Sequence, residues 1–140
     1  MALQWVEEYG EDELQGVLDL FRQVDWAKER RPDDVRRMLA SGSIPFALRD
    51  KESGKLVAFG RAMTDGVYHA MIYDVIVDEA WRHQGLGRML MERMLQHPDI
   101  ANMAVLHLNT GSDRFAFYEK WGFSADLGDI RYMRRYNERR

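Results

Sequence analysis

The segment 82–88 combines residue types that suit the binding of a phosphate group. It consists of Arg82, His83, Gln84, Gly85, Leu86, Gly87 and Arg88. The two glycines permit backbone dihedrals that other residues avoid, and they let a ligand approach the main chain closely. If a helix begins here, its first N–H groups lack intrahelical acceptors and its dipole adds partial positive charge. The segment therefore predicts an anion-binding loop, with a tight strand-to-helix turn that holds no ligand as the alternative.

This glycine loop differs from two common nucleotide-binding loops. The Gly-Lys-Ser/Thr ending of a P-loop is missing. The third glycine of a dinucleotide-binding fingerprint is missing as well, and no strand-helix-strand unit precedes the segment. The pattern therefore excludes both of these loops.

A strand and a helix must flank the loop if it is to bind an anion in this way. Residues 67–77 are rich in β-branched and aromatic side chains, and the most apolar part is 75–77, which predicts a long strand. Apolar side chains then recur at helical spacing, which predicts a helix over 85–96 that ends before Pro98. The loop is thus expected between a buried strand and an amphipathic helix.

The remaining segments predict a sheet with helices inserted between its strands. Strands are predicted over 3–9, 44–48, 56–63 and 103–108, at Phe123 and over 130–136, and helices are predicted from 11–13, from Pro32 and from 112–113 onward. This order favours an α/β (α+β mixed) domain, in which a mixed sheet has helices on both faces.

The composition is that of one ordinary globular domain over 1–140. Of the 140 residues, 46% are apolar and 31% are charged. The chain has no cysteine, and its four histidines lack the helical spacing of a zinc-enzyme motif, so no metal site is predicted. A net charge of −3 argues against a nucleic-acid partner, and no apolar run is long enough to span a membrane. The N-terminal residues lack a signal-peptide pattern, so we expect a cytoplasmic protein.

A second segment gives the glycine loop a more specific meaning. It consists of Phe117, Tyr118, Glu119, Lys120, Trp121, Gly122 and Phe123. The strand ending at 77 and the loop at 82–88 resemble the coenzyme A motif of the GNAT acetyltransferase superfamily. The second segment resembles the Phe/Leu-Tyr-x-x-x-Gly-Phe signature of the same superfamily. Because both motifs occur in the expected order, the chain is identified as a member of that superfamily.

The resemblance implies the GNAT fold, a mostly antiparallel mixed sheet that splays at the cofactor site, and acetyl-CoA as the cofactor. Val75, Ile76 and Val77 would lie along the pantetheine arm and offer it backbone hydrogen bonds, as to an added strand. Residues 83–88 would hold the pyrophosphate through backbone N–H groups, with Arg82 adding charge. Tyr118 would protonate the leaving thiolate, with simple packing in an amphipathic helix as the alternative.

The implied reaction also needs a base, because the attacking amine must lose a proton. Asp74 is the first candidate, with a structural carboxylate that pairs across the sheet or at a subunit contact as the alternative. His107 is another candidate, with a satisfied sheet histidine as the alternative. Tyr73, His69 and water complete the choices, and the sequence does not decide among them.

Within the superfamily, the chain looks most like the branch that acetylates small amines and amino-sugar phosphates. Tyr73 replaces an acidic residue of that branch, and Gly111 stands where the superfamily often has asparagine, which weakens a glucosamine-6-phosphate assignment. Arg30 and Arg31 would either hold an acidic group of the acceptor or form a solvated basic loop. Many relatives pair through their last strands, so a homodimer is compatible with the sequence.

The sequence therefore predicts an acyl-CoA-dependent N-acyltransferase. It would move acetyl from acetyl-CoA to a primary amine of a small molecule, by direct attack while both substrates are bound. One alternative is an enzyme whose acceptor is a protein N-terminus or a lysine side chain. The other is an acyl-CoA-binding module without turnover, since a glycine loop indicates only the capacity to bind.

Overall fold

The computed structural model describes residues 2–139, which fall into two compact units, one ending at Leu108 and one beginning at Asn109. In the first unit, the strands are β1 (Leu3–Trp5), β2 (Ile44–Asp50), β3 (Leu56–Thr64), β4 (His69–Val77) and β5 (Val105–His107), and the helices are α1 (Glu11–Phe21), α2 (Pro32–Ala40), α3 (Leu86–Gln96) and α4 (Pro98–Ala101). The strands form one sheet in the order β1-β2-β3-β4-β5. All neighbours are antiparallel except β4 and β5, which are parallel, so the predicted mixed sheet is confirmed.

Helix α1 covers one face of the sheet. Its first turn is acidic, which suits the positive end of the helix dipole, and the Glu13 carboxylate accepts a hydrogen bond from the Gly10 N–H at 2.9 Å. At its other end, the ring of Phe21 packs edge-on against Phe59 of β3, with ring centroids 5.8 Å apart. Both phenylalanines are fully buried, so this contact belongs to the core on the α1 side.

Helix α3 covers the opposite face. Successive side chains of a strand point to opposite faces, so Gly60 faces away from the side that Phe59 occupies. The Met94 methyl group of α3 fills the space over Gly60, and a Cβ at Gly60 would overlap with it. Helices therefore lie on both faces of the sheet, as predicted.

The second unit contains a short 3-10 turn (Ser112–Arg114) and helix α5 (Phe115–Glu119), and its residues up to 139 form no strand. The predicted strands at Phe123 and over 130–136 are therefore wrong. Three apolar side chains of this segment are largely exposed and do not pack on a sheet. Ile130, Tyr132 and Met133 are 70%, 66% and 90% exposed. Their apolar spacing favours a strand locally, but a strand also needs a neighbour for its backbone groups.

The other elements agree with the sequence apart from their ends. Strand β1 stops at Trp5, before the predicted end at residue 9, and Pro98 begins the short helix α4 directly after α3. Within residues 2–139, no helix is long and apolar enough to cross a membrane.

Candidate active site

The glycine loop leads directly into α3. Gly85 is the N-cap residue, and its φ of 83° is left-handed, a conformation that glycine adopts without strain. The Gly85 carbonyl accepts the first hydrogen bond of the helix from the Met89 N–H at 3.0 Å. The Leu86 side chain is 1% exposed, so the core holds the first residue of the helix in place. The sequence therefore fixes where α3 begins and leaves its N-terminus at the surface.

This N-terminus has the properties of an anion site. Within residues 2–139, no side chain caps this helix by accepting a hydrogen bond at its N-terminus. The N–H groups of the first turn therefore lack a side-chain acceptor. A Cβ at Gly85 would meet no atom within 4 Å, so there is room beside the backbone for a ligand. His83 is also left-handed, with φ of 64°, which bends the loop sharply before the helix. The residues present thus fit the pyrophosphate of a coenzyme A thioester.

A buried carboxylate anchors the turn between β4 and the loop. Asp78 is 2% exposed and accepts hydrogen bonds from Gln23 (3.0 Å), the Ala80 N–H (2.9 Å) and Lys55 (2.8 Å). Burial alone would raise the pKa of Asp78, but these donors outweigh it and hold the pKa below its usual value. Gln23 also accepts a hydrogen bond from the Glu79 N–H at 2.9 Å. The turn is therefore tied to the end of α1 and to β3.

The two arginines of the loop make local contacts. Arg82 donates from Nε to the Val77 carbonyl at 3.3 Å, next to the end of β4. Arg88 pairs with Glu92 of its own helix at 2.8 Å, and its side chain is 72% exposed. Both guanidinium groups thus add charge near the loop, while the backbone N–H groups are the donors that the loop itself presents.

The edge of β4 has a partner strand over only part of its length. His69, Ala70 and Met71 pair with β5, which ends at His107, and β4 continues to Val77. Beyond Met71, no strand of the described residues pairs with this side of β4. Val75, Ile76 and Val77 lie along this open edge, where peptide groups are available to a ligand.

A β-bulge interrupts β4 at Asp74. Arg61 pairs with Tyr73, whereas Phe59 pairs with Ile76, so two residues of β4 stand opposite Gly60. Asp74 has a left-handed φ of 59°, which aspartate tolerates better than most residues. Bulges of this kind redirect side chains, and here the redirected group is a carboxylate.

The Asp74 carboxylate is enclosed by two arginines. Arg30 donates to both of its oxygens, at 2.8 and 3.1 Å, and Arg61 donates from Nε at 2.6 Å. The Asp74 side chain is 4% exposed. A carboxylate that accepts three hydrogen bonds from cations is poorly placed to take a proton from an amine. This geometry favours the structural alternative for Asp74 over the role of base.

The ion pair with Asp74 also explains where the Arg30 side chain lies. Its guanidinium also lies over the rings of Phe21 and Trp26, 4.7 and 5.6 Å from their centroids. The loop between α1 and α2 is therefore fastened to the sheet at the bulge, instead of presenting Arg30 as a solvated cation.

Tyr118 lies in the second unit, where α5 buries it. The residue is 7% exposed, and its ring packs edge-on against Phe117 and Phe123 at 5.0 and 6.3 Å. Burial raises the pKa of the Tyr118 phenol, with a smaller opposing effect of Arg114. The phenol therefore keeps its proton at neutral pH.

Several residues of this arrangement were not found from the sequence. Gln23 and Lys55, which hold Asp78, and Arg61, which holds Asp74, carry no local signal. Their partners lie in other elements, so only the register of the sheet brings them together. His69 and His107 were both considered from the sequence, but their contact at 2.8 Å was not.

The sheet has an open edge, and the loop that follows leads into a helix with an uncapped N-terminus, so this side of the sheet suits an extended ligand that carries a phosphate group. Residues 42–125 match the family described as "Acetyltransferase (GNAT) domain". The chain belongs to this family.

The chain is also similar to individual proteins that are named as acetyltransferases. It is 34% identical over 127 residues to "Serotonin N-acetyltransferase 2, chloroplastic" of Oryza sativa subsp. japonica, an alignment that covers 86% of this chain and 61% of the relative. It is 31% identical to "Uncharacterized N-acetyltransferase ycf52" of Pyropia yezoensis, covering 79% of this chain and 64% of that protein. The chain thus spans less than two thirds of the length of these relatives.

Solved structures show the same fold. A protein assigned to the GNAT family from Xanthomonas campestris pv. campestris superimposes with a TM-score of 0.80 at 28% identity, covering 98% of this chain and 94% of that one. The glucosamine-6-phosphate N-acetyltransferase of Arabidopsis thaliana gives a TM-score of 0.79 at 20% identity, covering 99% of this chain and all of that one. At that identity, the second likeness concerns the fold alone.

Proposed function

We propose that this protein is an N-acetyltransferase that moves acetyl from acetyl-CoA to the primary amine of a small molecule. The observation that carries the proposal is the uncapped N-terminus of α3, where left-handed Gly85 leaves room beside the first N–H groups. When bound, acetyl-CoA supplies an acetyl group that is activated as a thioester. The residues of this chain bind the donor, orient it and move protons.

Two parts of the chain bind the donor in this proposal. Residues 82–88 hold the pyrophosphate, chiefly through the backbone N–H groups at the start of α3. Val75, Ile76 and Val77 offer peptide groups on the open edge of β4, as they would to an added strand. A backbone N–H of this edge is also suited to stabilise negative charge on the acetyl oxygen.

Tyr118 is the proposed general acid. A phenol that keeps its proton at neutral pH has a proton to give to the departing thiolate. This supports the role that the signature at 117–123 suggests for Tyr118.

Asp74 is proposed as a positioning residue. Its pairs with Arg30 and Arg61 hold the loop after α1 against the bulge in β4. Val75 is the second residue of the bulge, so the pairs also hold the beginning of the segment 75–77 along which the donor would lie.

The proposed acceptor class is a small amine. The relative from rice is named a serotonin N-acetyltransferase, which points to arylalkylamines. Exposed Trp26 and half-buried Tyr73 lie beside the two arginines that bind Asp74, so aromatic rings are available near the bulge. Amino-sugar phosphates are the second class to test, since the fold of the Arabidopsis enzyme is shared.

The cellular location is a prediction from the sequence. The sequence predicts the cytoplasm, whereas the rice relative is named as chloroplastic.

The deciding experiment measures thiol release from acetyl-CoA against a panel of arylalkylamines, amino-sugar phosphates, polyamines, amino acids and short peptides. We expect release with one small-molecule class. Release with peptides alone would indicate a protein acceptor. Tight binding of acetyl-CoA in a parallel titration, with no release for any amine, would indicate a binding module and defeat the proposal.

The role of Tyr118 is tested in the same assay. Tyr118→Phe should slow transfer by about 100-fold while acetyl-CoA affinity stays nearly unchanged, because only the acidic proton is removed. Tyr68→Phe is the matched control, since Tyr68 is 64% exposed and has no proposed role. An unchanged rate in Tyr118→Phe would remove this residue from the mechanism.

A further inference from the structure

Two histidines contact each other where β4 and β5 stop pairing. The Nδ1 atom of His69 and the Nε2 atom of His107 are 2.8 Å apart, a hydrogen-bond distance, and the ring centroids are 5.0 Å apart. Each ring therefore uses one nitrogen in the pair. The Nδ1 atom of His107 and the Nε2 atom of His69 remain as the two outer ends.

The histidine pair (His69 and His107) lies next to the proposed donor site. His107 is the last residue of β5 and stands beside Met71, the last residue of β4 that has a partner on this side. The open edge begins at the next residue of β4. Asp74 is three residues beyond Met71, roughly 10 Å along the strand. An acceptor amine held between these points is within reach of an imidazole directly or through one water.

The contact between the two histidines contributes little to the stability of the fold. Both residues are exposed, and a hydrogen bond between exposed side chains contributes little to the folded state. Within residues 2–139, no cluster of three or more His, Asp or Glu side chains is arranged to hold a metal ion. Exposure does suit proton transfer, because a substrate can approach one ring and water the other.

Two charged side chains lie near the pair. Asp65, in the turn before β4, accepts hydrogen bonds from the backbone N–H groups of Val67, Tyr68 and His69 at 2.7–3.1 Å. These backbone hydrogen bonds, with a smaller contribution from the His69 ring, hold the pKa of Asp65 below its usual value. Arg61 on β3 stands opposite Tyr73 and is the nearest cation of that strand on the way to the bulge, but its charge is paired with Asp74. A carboxylate therefore lies near the His69 end of the pair, and the cation toward the bulge is already paired.

We propose that the histidine pair is the base of the reaction, with His107 as the catalytic residue and His69 as the positioning residue that passes the proton to solvent. This inference rests on the proposed function. The ammonium group of the acceptor gives one N–H proton to Nδ1 of His107. The Nε2 proton of His107 moves to Nδ1 of His69, and the Nε2 proton of His69 moves to water. The amine is left neutral with its lone pair free, and the two rings regain their starting charge with exchanged tautomers.

The kinetic test compares the wild type with His107→Gln and His69→Gln, from pH 5.5 to 9.5, using the best amine of the panel. At pH 7, kcat/KM should fall about 100-fold in His107→Gln and about 10-fold in His69→Gln. The loss should shrink at high pH, because an amine that is already neutral needs no base. Acetyl-CoA affinity should stay unchanged in both variants. Val67→Gln is the control, since the Val67 side chain is 60% exposed in the turn before β4 and has no proposed role, and its kcat/KM should stay within about twofold.

A measurement without turnover checks the pair itself. Long-range ¹H–¹⁵N NMR spectra of the imidazole rings should show Nδ1 of His69 and Nε2 of His107 sharing one proton, and the titration of His69 should change in His107→Gln. Rings that titrate independently would overturn the inference. The inference would also be overturned if the wild type is active and His107→Gln keeps the same rate and pH profile. That result would leave the proposed function intact. A wild type without thiol release would defeat the proposed function and the relay together.

Discussion

Gly85 and Gly54 share a left-handed backbone, with φ of 83° and 75°, and at both positions an added Cβ would meet no atom within 4 Å. Alanine at either position is therefore strained by its backbone and not by a clash, at a cost of about 1 kcal/mol. The two residues differ in place, since Gly85 begins α3 and Gly54 lies in the turn between β2 and β3.

This contrast predicts two separable effects. Gly85→Ala and Gly54→Ala should lower the free energy of unfolding by a similar amount, measured by chemical denaturation. Only Gly85→Ala should also weaken acetyl-CoA binding, because its methyl group occupies the space beside the N–H groups of α3. Equal acetyl-CoA affinity in the two variants, measured by calorimetric titration, would contradict the assignment of the pyrophosphate to this loop.

The charge of Asp74 is expected to stabilise the folded protein through its two arginine partners. Asp74→Asn removes the charge that two guanidinium groups share, and it should lower the free energy of unfolding by about 2–3 kcal/mol. The value is below that of a fully buried pair, because Arg30 is 31% exposed and can reach water. The residual activity should keep the wild-type pH profile, since the group that titrates in catalysis is elsewhere.

A double-mutant cycle with Arg30→Gln provides the control. If the pair is structural, the two substitutions together should cost clearly less than the sum of their separate costs. A variant Asp74→Asn that is as stable as the wild type but loses the alkaline rise of its rate would restore Asp74 as the base.

The sequence predicted the residue types of the site better than their pairing. The glycine loop was recognisable because its chemistry lies within seven consecutive residues. The sequence offered a carboxylate paired across the sheet as one alternative for Asp74, but it did not identify the partners, which depend on a bulge in β4 and on Arg30 from a distant loop. The contact between His69 and His107 depends in the same way on the register of two strands that are far apart in sequence.

At the scale of elements, the turn between β4 and α3 depends on Asp78. The Asp78 carboxylate accepts a hydrogen bond from Gln23, which follows α1, and pairs with Lys55, which precedes β3. These contacts connect the turn that carries the loop to both elements. Its backbone N–H also donates to the Val57 carbonyl at 2.8 Å. The loop is thus held from three sides before α3 begins.

This arrangement predicts an acid-dependent contribution to stability. The pKa of Asp78 is lowered in the folded protein, so its contribution is present above the ordinary aspartate pKa of about 4 and is lost as the pH falls through the lower folded value. Asp78→Asn should cost about 2 kcal/mol of unfolding free energy at pH 7, and the difference from the wild type should shrink below about pH 4. Urea unfolding at several pH values measures both.

Asp129→Asn is the matched control, because Asp129 is exposed in the second unit. It should change stability by less than about 0.5 kcal/mol at each pH. A difference between Asp78→Asn and the wild type that stays constant down to pH 2.5 would contradict the ionised state assigned to Asp78.

Elements with strong periodicity were predictable, whereas the strands that the sequence predicted in the second unit were wrong. Helices α1, α2 and α3 and the hairpin of β2 and β3 follow directly from apolar spacing and turn residues. The segment 130–136 has comparable apolar and aromatic content, yet it forms no strand in the described structure. Local pattern gives the preference for a strand, and backbone pairing decides whether the strand exists.

At the scale of the molecule, the two units differ in how much of their chain is buried. The first unit contains the sheet and a core that includes Val17, Leu20, Phe21, Val57 and Phe59, all with no exposed area. The second unit has two short helical segments, and from Gly122 to residue 139 its backbone forms no helix or strand. Protection of backbone amides should follow this contrast, because exchange is slow where opening must break many buried contacts.

Hydrogen exchange therefore tests the whole arrangement. In the free protein at neutral pH, the amides of β3 and β4 should exchange slowly, and those of 124–139 should exchange near the rate of an unfolded chain. Ile130, Met133 and Tyr136 are 70%, 90% and 80% exposed, so opening that segment breaks few apolar contacts. Slow exchange over 130–136 would contradict this prediction and support the strand that the sequence predicted there. Repeating the measurement over a 100-fold range of concentration, with the molecular mass determined at each step, would then locate its partner. Protection that grows with concentration requires a second copy of the chain, whereas constant protection in a monomer requires pairing within one chain.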